Sequence, residues 1–314
     1  MAEKNVILSV KNLKQYFKID RKTTTKAVDG VSFEVYEGET FSVVGESGSG
    51  KSTLGRSLIR IYDFQADEVT FLGKKISGKM SLETEKFLRK NMQMIFQDPM
   101  ASLNPRKKIL DVVAHGVDIN KLSDNSENRK QMVIDVLESV GLSSSFLTRY
   151  PHQFSGGQRQ RIGIARALIV QPKFIIADEI ISALDVSIQA QVINLMKKLQ
   201  KQHNLTYMFI AHDLSMVRSI SDRVAVMHLG HIVEIGTVND IYENSIHPYT
   251  KSLLSSIPAP DPISERTRTR LRYNKNDIDY TIGEMHVINE THQVLATPEH
   301  VTLWRKNDYN EYLK

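Results

Sequence analysis

The chain has 314 residues, of which 41% are hydrophobic and 25% are charged, as expected for a globular protein of one large domain or one domain with an appendage. Its 41 basic and 36 acidic residues leave a net charge of +5, which is too small to indicate a nucleic-acid partner by itself. The absence of cysteine excludes disulfides, cysteine-ligated zinc and iron–sulfur clusters within this chain.

The hydropathy pattern gives no sign of a membrane span. No run of about 18 apolar residues without charges occurs. The first residues, Met1-Ala2-Glu3-Lys4-Asn5, lack the apolar core of a signal peptide. We therefore expect a cytoplasmic protein without a transmembrane helix.

The first half of the chain predicts strands and helices in turn, from apolar alternation and helical spacing. The predicted strands are Val6–Leu13, Ala27–Val35, Thr40–Val44 and Met92–Phe96, and the predicted helices are Ser52–Ile61 and Leu82–Lys90. Between Arg106 and Tyr150 the strands cease, and Glu127–Val140 has the period of an amphipathic helix. This segment is interpreted as a helical insert.

The second half continues the alternation. It predicts helices over Gly156–Val170 and Ile188–His203, strands over Phe174–Ala177 and Thr206–Ala211, and a hairpin of Val224–His228 with Ile232–Ile235. Buried strands alternating with helices favour a parallel α/β core. After about His247 come a proline-punctuated linker at 257–262, a basic alternation from Arg266 to Arg272 interpreted as a solvated strand face, and a strand-like stretch, Met285–Ala296.

A phosphate-binding pattern, G-x-x-x-x-G-K-[ST], lies between a buried strand and a predicted helix. We expect the nucleotide contacts to come from Gly45, Glu46, Ser47, Gly48, Ser49, Gly50, Lys51, Ser52 and Thr53. Glycines let backbone N–H groups surround an anion, and the following helix adds its positive N-terminal end. Lys51 would reach the β- and γ-phosphates and Ser52 would ligate Mg²⁺. A simple glycine-rich turn is the competing interpretation, which the Gly-Lys-Ser ending disfavours.

Two carboxylates follow the buried strand Phe174–Ala177. Asp178 is placed to bind Mg²⁺, directly or through water, and Glu179 to act as general base on the attacking water. A strand ending in an acidic turn is common, so this motif alone would be weak. The phosphate loop upstream makes the catalytic interpretation the favoured one.

The segment Phe154-Ser155-Gly156-Gly157-Gln158 resembles the signature of ABC ATPases, with Phe154 where leucine is commoner. The resemblance implies that this segment caps the γ-phosphate bound by an opposite subunit. It therefore implies a sandwich dimer and assigns nucleotide contacts to Ser155, Gly156, Gly157 and Gln158.

Other positions match the same family. The resemblance implies that Gln97 touches Mg²⁺ or the attacking water, that His212 contacts the γ-phosphate, and that Asp185 belongs to the loop Ser182-Ala183-Leu184-Asp185 at the nucleotide. The implied catalytic residues are Glu179, His212 and Gln97, and the implied metal ligands are Ser52, Gln97 and Asp178. Phe17 is the predicted adenine-stacking ring, with its neighbour Tyr16 as the alternative and simple sheet packing as the competing interpretation.

Three stretches are similar to the oligopeptide/dipeptide/nickel branch of importer ATPases, most of all the F-type ATPase subunits of oligopeptide permeases. They are Gln97-Asp98-Pro99, the run from Ser182 to Val192, and His247-Pro248-Tyr249-Thr250. The resemblance covers about residues 6–262 well and the remainder loosely. It implies an α/β P-loop NTPase fold of the ABC type, with an N-terminal antiparallel β subdomain. The expected domains are an ATPase domain over 1–256, with a helical insert at about 106–170, and a C-terminal extension over 257–314.

The same resemblance implies an ATP- and Mg²⁺-dependent ATPase that energises oligopeptide import. The implied partners are a homologous, distinct ATPase subunit, two transmembrane permeases and an extracytoplasmic solute-binding protein. The implied location is peripheral, on the cytoplasmic face of the membrane, and no nucleic-acid partner is expected. The residues leave the homodimer and the heterodimer both open.

Three alternatives remain at this point. The transported solute could be nickel or another small solute. An ABC ATPase acting on DNA is disfavoured by the short segment between Gln97 and Ser155, and one acting on ribosomes by the single ATPase cassette. The presence of Lys51, Glu179, Ser155 and His212 disfavours a non-hydrolysing partner. Two departures from relatives are Ile180, where proline is usual, and the lack of C-terminal cysteines. We expect the region after about Pro258 to be a separable appendage, dispensable for nucleotide binding.

Overall fold

The computed structural model of this chain describes residues 5–20, 22–182, 184–258, 270–274, 278–306, 308–309 and 312–313. The residues form two compact units. The first comprises residues 5–8, Tyr36–Glu39 and Phe71–Phe209, and the second comprises Ser9–Val35, Thr40–Thr70 and the chain from Ile210 onward. Each unit is described by itself.

Strands predominate near the N-terminus of the described part, and helices interleave with strands after it. The strands are β1 (Val6–Lys18), β2 (Thr24–Tyr36), β3 (Thr40–Val44), β4 (Glu68–Phe71), β5 (Lys74–Lys75), β6 (Met92–Ile95), β7 (Phe174–Asp178), β8 (Thr206–Ala211), β9 (Arg223–His228), β10 (His231–Thr237), β11 (Glu284–Val287) and β12 (Gln293–Ala296). The helices are α1 (Lys51–Leu58), α2 (Leu82–Asn91), α3 (Pro99–Ser102), α4 (Ile109–Asn120), α5 (Ser126–Ser139), α6 (Gly156–Leu168), α7 (Val186–His203), α8 (Leu214–Ile220), α9 (Val238–Glu243), α10 (Pro248–Ser255) and α11 (Pro298–Arg305).

The first unit contains parallel strands that end at functional residues. β6 pairs with β7 in parallel, with Met94 opposite Ile176, and the strand order continues from β7 to β8. Every residue of β7 is buried, which fits a run of apolar side chains covered on both faces. This burial fixes the position of Asp178 at the carboxyl end of the strand.

Residues 96–173, all of them described, carry helices and turns but no strand, as the sequence predicted for the insert. Helices α4, α5 and α6 pack on one another. Arg129 on α5 binds two aspartates of α4, at 2.6 Å from its Nε to Asp118 and 3.2 Å from an Nη to Asp111. The hydrogen bond from Arg129 lowers the pKa of the Asp118 carboxyl. This ion pair supplements the packing of the two helices.

The second unit contains a long mixed sheet in the order β11–β12–β10–β9–β3. β3 runs parallel to β9, with Val43 opposite Ala225, and β9 and β10 form the antiparallel hairpin that the sequence predicted. Nearer the N-terminus, strands lie side by side in the order β2–β1–β4. Within the long sheet, β3 ends at the phosphate loop.

The C-terminal region adds to this sheet. β12 pairs with β10, with Glu234 opposite Val294, and β11 and β12 form a hairpin where the sequence predicted one strand-like stretch. This pairing joins the region to the sheet that carries the phosphate loop, against the expectation of a separable appendage. A cluster around the buried Trp304 covers the junction, and Ile246 packs against it.

A buried carboxylate ties the C-terminal region to the start of α9. Asp240 accepts hydrogen bonds from Thr237 Oγ1 at 2.6 Å, Thr291 Oγ1 at 2.7 Å and Asn289 Nδ2 at 3.1 Å. Burial alone would raise the pKa of Asp240, but these hydrogen bonds outweigh it and lower the pKa to about 2.

Only part of the basic alternation from Arg266 to Arg272 lies within the described residues. Arg266 and Arg268 lie outside the described residues, as does the linker from 259 to 262. Arg270 and Arg272 are exposed, but the structure assigns no strand to them, so the predicted strand face is wrong for these two residues. In the part of the chain that the structure describes, no helix is long and apolar enough to cross a bilayer.

Candidate nucleotide site

The phosphate loop is packed tightly at two glycines and open at a third. Gly45 and Gly50 have positive φ angles of 152° and 105°. A Cβ at Gly45 would lie 2.1 Å from the carbonyl oxygen of Met227, and one at Gly50 would lie 2.0 Å from that of Ala27. Gly48 also has positive φ, at 83°, but a Cβ there would meet nothing within 4 Å. The open side of the loop is therefore the side that a phosphate can approach.

Lys51 lies across this loop. Its ammonium group donates hydrogen bonds to the carbonyl oxygens of Gly45 and Glu46, both at 2.8 Å, and to Ser49 Oγ at 3.3 Å. The side chain is buried, and α1 begins at this residue. Ser52 and Thr53 are half-buried in the first turn of α1. The ammonium group therefore lies beside the loop, and its contact with the β- and γ-phosphates stays a prediction.

Two predicted catalytic residues meet in the first unit. Gln97 Nε2 donates a hydrogen bond of 2.7 Å to Glu179 Oε2, although the residues are 82 positions apart. Glu179 has a φ of 47°, in the left-handed region that a residue with a Cβ rarely adopts. Such strain is characteristic of functional positions. Asp178, one residue earlier, is fully buried.

The signature segment forms the N-terminus of α6. Ser155 Oγ accepts from Gln158 N at 3.3 Å, and Gln158 Oε1 accepts from Ser155 N at 3.1 Å, which is a capping box. Ser155 and Gly156 are exposed. A Cβ at Gly157 would lie 2.8 Å from Ile188 of α7, so this glycine permits the close packing of α6 on α7. The result is an exposed helix N-terminus.

Asp185 has a structural role that the sequence did not reveal. It caps α7 by accepting hydrogen bonds from Ser187 Oγ at 2.7 Å and Ile188 N at 3.0 Å. These bonds lower the pKa of its carboxyl. Its contact with nucleotide stays a prediction, and Ala183 of the same loop lies outside the described residues.

His212 and the N-terminal aromatic residues complete the predicted set. His212 is exposed directly after β8, and Asp213 caps α8 by accepting from Ser215 N at 2.8 Å. Tyr16 donates its hydroxyl to Asp29 at 2.5 Å, and burial with this hydrogen bond raises the pKa of Tyr16 to about 12. The ring of Phe17 carries no polar group and contacts Tyr62 edge-on at 5.1 Å. The stacking of Phe17 on adenine stays a prediction.

Two contacts of these motifs were missed by sequence reasoning. Arg166 on α6 donates to the carbonyl oxygen of Ser102 on α3, which links the segment after Gln97 to the signature helix. In the second unit, the hydroxyl of Tyr249 accepts from Glu46 N in the phosphate loop at 3.0 Å. The run His247-Pro248-Tyr249-Thr250 marked a family branch in the sequence, but nothing there indicated this contact.

Two family models match the chain. The model for ABC transporters matches residues 28–182, and the model for the oligopeptide/dipeptide transporter C-terminal region matches residues 233–281. The first match spans the phosphate loop, the signature and both carboxylates. The second begins in β10 and includes the run from His247 to Thr250.

Relatives match this chain over nearly their whole length. An oligopeptide transport ATP-binding protein, OppF of Streptococcus mutans, is 55% identical over 301 residues, which are 96% of this chain and 97% of that protein. A dipeptide transport ATP-binding protein, DppF of Lactococcus lactis subsp. cremoris, is 53% identical over 310 residues, covering 98% and 99% of the two chains.

A solved structure gives the same fold. An ATP-binding cassette, solved as a dimer in a post-hydrolysis state with ADP and Pi, superposes with a TM-score of 0.66 at 27% identity. The match covers 74% of this chain and 98% of the cassette. The fold class predicted from the sequence is therefore confirmed.

Proposed function

Because this chain belongs to the oligopeptide/dipeptide branch of ABC transporter ATP-binding proteins, we propose that it binds and hydrolyses ATP to energise the import of oligopeptides. The observation that carries the proposal is the near-full-length identity of 55% to an oligopeptide transport ATP-binding protein. The branch predicted from sequence is confirmed by this match and by that of the C-terminal family model. No observation favours nickel, nucleic acid or ribosomes over peptide.

The proposed nucleotide site uses hard oxygen donors for its metal. Ser52 offers a hydroxyl, Gln97 an amide oxygen and Asp178 a carboxylate, which are the ligand types that Mg²⁺ prefers. The full burial of Asp178 fits a carboxylate held rigidly for this purpose. When bound, Mg²⁺ would neutralise charge on the β- and γ-phosphates.

The chain's own residues then position the triphosphate. The loop is open at Gly48, where a Cβ would meet nothing within 4 Å, and backbone N–H groups of the loop would donate to phosphate oxygens. Lys51 would exchange its contacts with two loop carbonyls for the β- and γ-phosphates. Phe17 would stack on the adenine, and Thr53 lies in the first turn of α1, whose positive end favours the phosphates.

The hydrolytic step is assigned to Glu179. Its carboxylate already accepts a hydrogen bond of 2.7 Å from Gln97, so the two side chains lie together and both would contact the attacking water. Glu179 would accept the proton as water attacks the γ-phosphate, and His212 would contact that phosphate from the end of β8. Positioning and charge stabilisation supply most of the rate in phosphoryl transfer.

The proposed assembly of two ATPase subunits is based on the signature segment. The N-terminus of α6 is exposed, with Ser155 and Gly156 at its tip. Such a helix end favours an anion on another molecule. We therefore propose a pair of ATPase subunits, this chain with a homologous one, on the cytoplasmic face of two membrane permeases. A solute-binding protein would deliver peptide from outside. ATP can drive the permeases only if it binds the closed pair more tightly than the open one.

Co-purification tests the assembly. The tagged chain is extracted gently from membranes, and the accompanying proteins are identified by mass spectrometry. We expect a second ATPase and two permeases. Recovery only as an isolated chain, or with DNA or ribosomes, would contradict the proposal.

A further inference from the structure

The phosphate loop is held by a residue outside all the ATPase motifs. The hydroxyl of Tyr249, on α10, accepts the backbone N–H of Glu46 at 3.0 Å. The two residues are 203 positions apart in the chain. Tyr249 is almost fully buried, whereas the Glu46 side chain is exposed. The contact therefore joins a rigid side chain to an exposed loop.

Tyr249 is fixed in place by an aromatic cluster, which we define as His228, Tyr249, Tyr273 and Tyr280. The ring of Tyr249 stacks on His228 at a centroid distance of 4.0 Å and an angle of 25°. His228 Nδ1 lies 2.7 Å from the Tyr280 hydroxyl, which lies 3.0 Å from that of Tyr273. Tyr273 and Tyr280 come from the C-terminal region. A ring packed on several sides has little freedom to move its hydroxyl.

The start of α10 is also clamped. His247 caps this helix by accepting from Tyr249 N at Nδ1, at 3.1 Å. Glu234 of β10 accepts from Ile246 N at 2.6 Å and from His247 N at 3.2 Å, and it lies 2.7 Å from His292 Nε2. The side chains of Glu234, His247 and His292 are buried, so their loss would leave unsatisfied partners. The position of Tyr249 is thus set by both β10 and the C-terminal region.

A residue next to the aromatic cluster also supports the phosphate loop by packing. Met227, whose carbonyl oxygen crowds Gly45, directly precedes His228 of the aromatic cluster. In the structure the Glu46 residue is held on both sides, at its N–H by Tyr249 and at its carbonyl oxygen by Lys51. If Lys51 moves to the phosphates of bound nucleotide, the Tyr249 contact is the one of these two that remains.

We infer that Tyr249 is a positioning residue, which holds the phosphate loop in its nucleotide-binding shape and makes nucleotide affinity depend on the aromatic cluster of the C-terminal region. This inference rests on the proposed ATP site. It also revises the expectation that residues after Pro258 are dispensable for nucleotide binding, because Tyr273 and Tyr280 belong to the cluster. Pre-organisation of a loop raises affinity by reducing the ordering cost of binding.

The test is Tyr249→Phe in the full chain, with binding of a fluorescent ATP analogue as the measurement. The phenyl ring keeps its stack on His228, so we expect the melting temperature to fall only by the loss of one hydrogen bond, about 1–6 °C. Loss of one neutral hydrogen bond predicts a dissociation constant raised about three- to tenfold. Tyr280→Phe, which removes the bond to His228, should give a smaller increase in the same direction.

Tyr207→Phe is the matched control. This buried hydroxyl donates to the carbonyl oxygen of Met196 at 3.3 Å, in the first unit and outside the aromatic cluster. We expect its ATP affinity to equal that of the unmodified chain. Equal affinities for Tyr249→Phe and the unmodified chain would overturn the inference, as would equal weakening by Tyr249→Phe and Tyr207→Phe.

A double-mutant cycle with Lys51→Ala separates positioning from a merely structural role. Both side chains hold the backbone of Glu46, so their effects on affinity should be non-additive. Strict additivity would contradict the inference. Failure of the unmodified chain to bind the analogue at all would instead contradict the proposed function.

Discussion

Replacing Gly50 by alanine tests whether close packing against the strands shapes the phosphate loop. Gly50 has a φ of 105°, and its Cβ would lie 2.0 Å from the carbonyl oxygen of Ala27 and 2.8 Å from Cε of Met227. Carbon–oxygen contacts normally need at least about 3.3 Å. The loop or the backbone of β2 would therefore have to move, and the Met227 side chain could only partly relieve the overlap.

The free-energy cost of adding a Cβ at Gly50 has two parts, and the variant Gly48→Ala separates them. A positive φ costs about 1–3 kcal/mol in a residue with a Cβ. Forcing an extra carbon into packed surroundings costs about 1–3 kcal/mol more. Gly48→Ala carries only the first cost, because its φ is 83° and nothing lies within 4 Å of the added Cβ. The difference between the two variants isolates the contact with the strands.

Thermal unfolding without nucleotide measures this difference. At about 2–4 °C per kcal/mol for large domains, Gly50→Ala should melt about 2–12 °C below Gly48→Ala. Its affinity for an ATP analogue should fall as well, because the loop is displaced. Equal melting temperatures would refute the argument that Gly50 is required by its approach to Ala27.

Three further predictions concern turnover, binding and pH. Glu179→Gln should lower ATP turnover at least about 100-fold and keep ATP affinity, because the amide cannot accept the water's proton. Glu83→Gln, at an exposed residue, is the control, and unchanged turnover of Glu179→Gln would refute the assignment. Lys51→Ala should weaken equilibrium binding of an ATP analogue, since it removes the charge facing the phosphates; unchanged affinity would mean that the loop is not the nucleotide site. Because the pKa of Asp240 is lowered to about 2, its ionised form stabilises the fold above the unfolded pKa of about 3.9, and this contribution is lost as pH falls through about 2. Asp240→Asn should therefore cost about 1–3 kcal/mol at neutral pH and weaken the pH dependence of unfolding between about pH 4 and 2; an unchanged acid unfolding curve would contradict this.

The sequence predicted best where burial alone decides the structure. The strands Thr40–Val44 and Thr206–Ala211 have the predicted bounds, because short apolar runs covered on both faces leave few alternatives. The strand Glu68–Phe71 was missed, since four residues with two polar members carry almost no periodic signal. Several short helices were missed too, such as Val238–Glu243, whose start depends on the capping box of Thr237.

The candidate site divides in the same way. The glycines of the phosphate loop could be predicted from the sequence because their backbone conformations need glycine, as the positive φ of Gly50 shows. The bond from Gln97 to Glu179 was not predicted, because the family resemblance implied only that Gln97 touches Mg²⁺ or the attacking water. The contact of Tyr249 with Glu46 could not be predicted, because it joins residues 203 positions apart and depends on tertiary packing. The left-handed backbone conformation of Glu179 likewise could not be predicted from the sequence.

The proposal that this chain energises oligopeptide import is tested most directly by peptide uptake into proteoliposomes. The complex is reconstituted with its two permeases, its partner ATPase and the solute-binding protein, and a radiolabelled oligopeptide is supplied with ATP on the ATPase side. We predict uptake that needs ATP, that is lost when this chain is omitted, and that falls sharply with Glu179→Gln. Uptake that continues at the same rate without this chain and with the variant, or accumulation of Ni²⁺ in place of peptide, would contradict it.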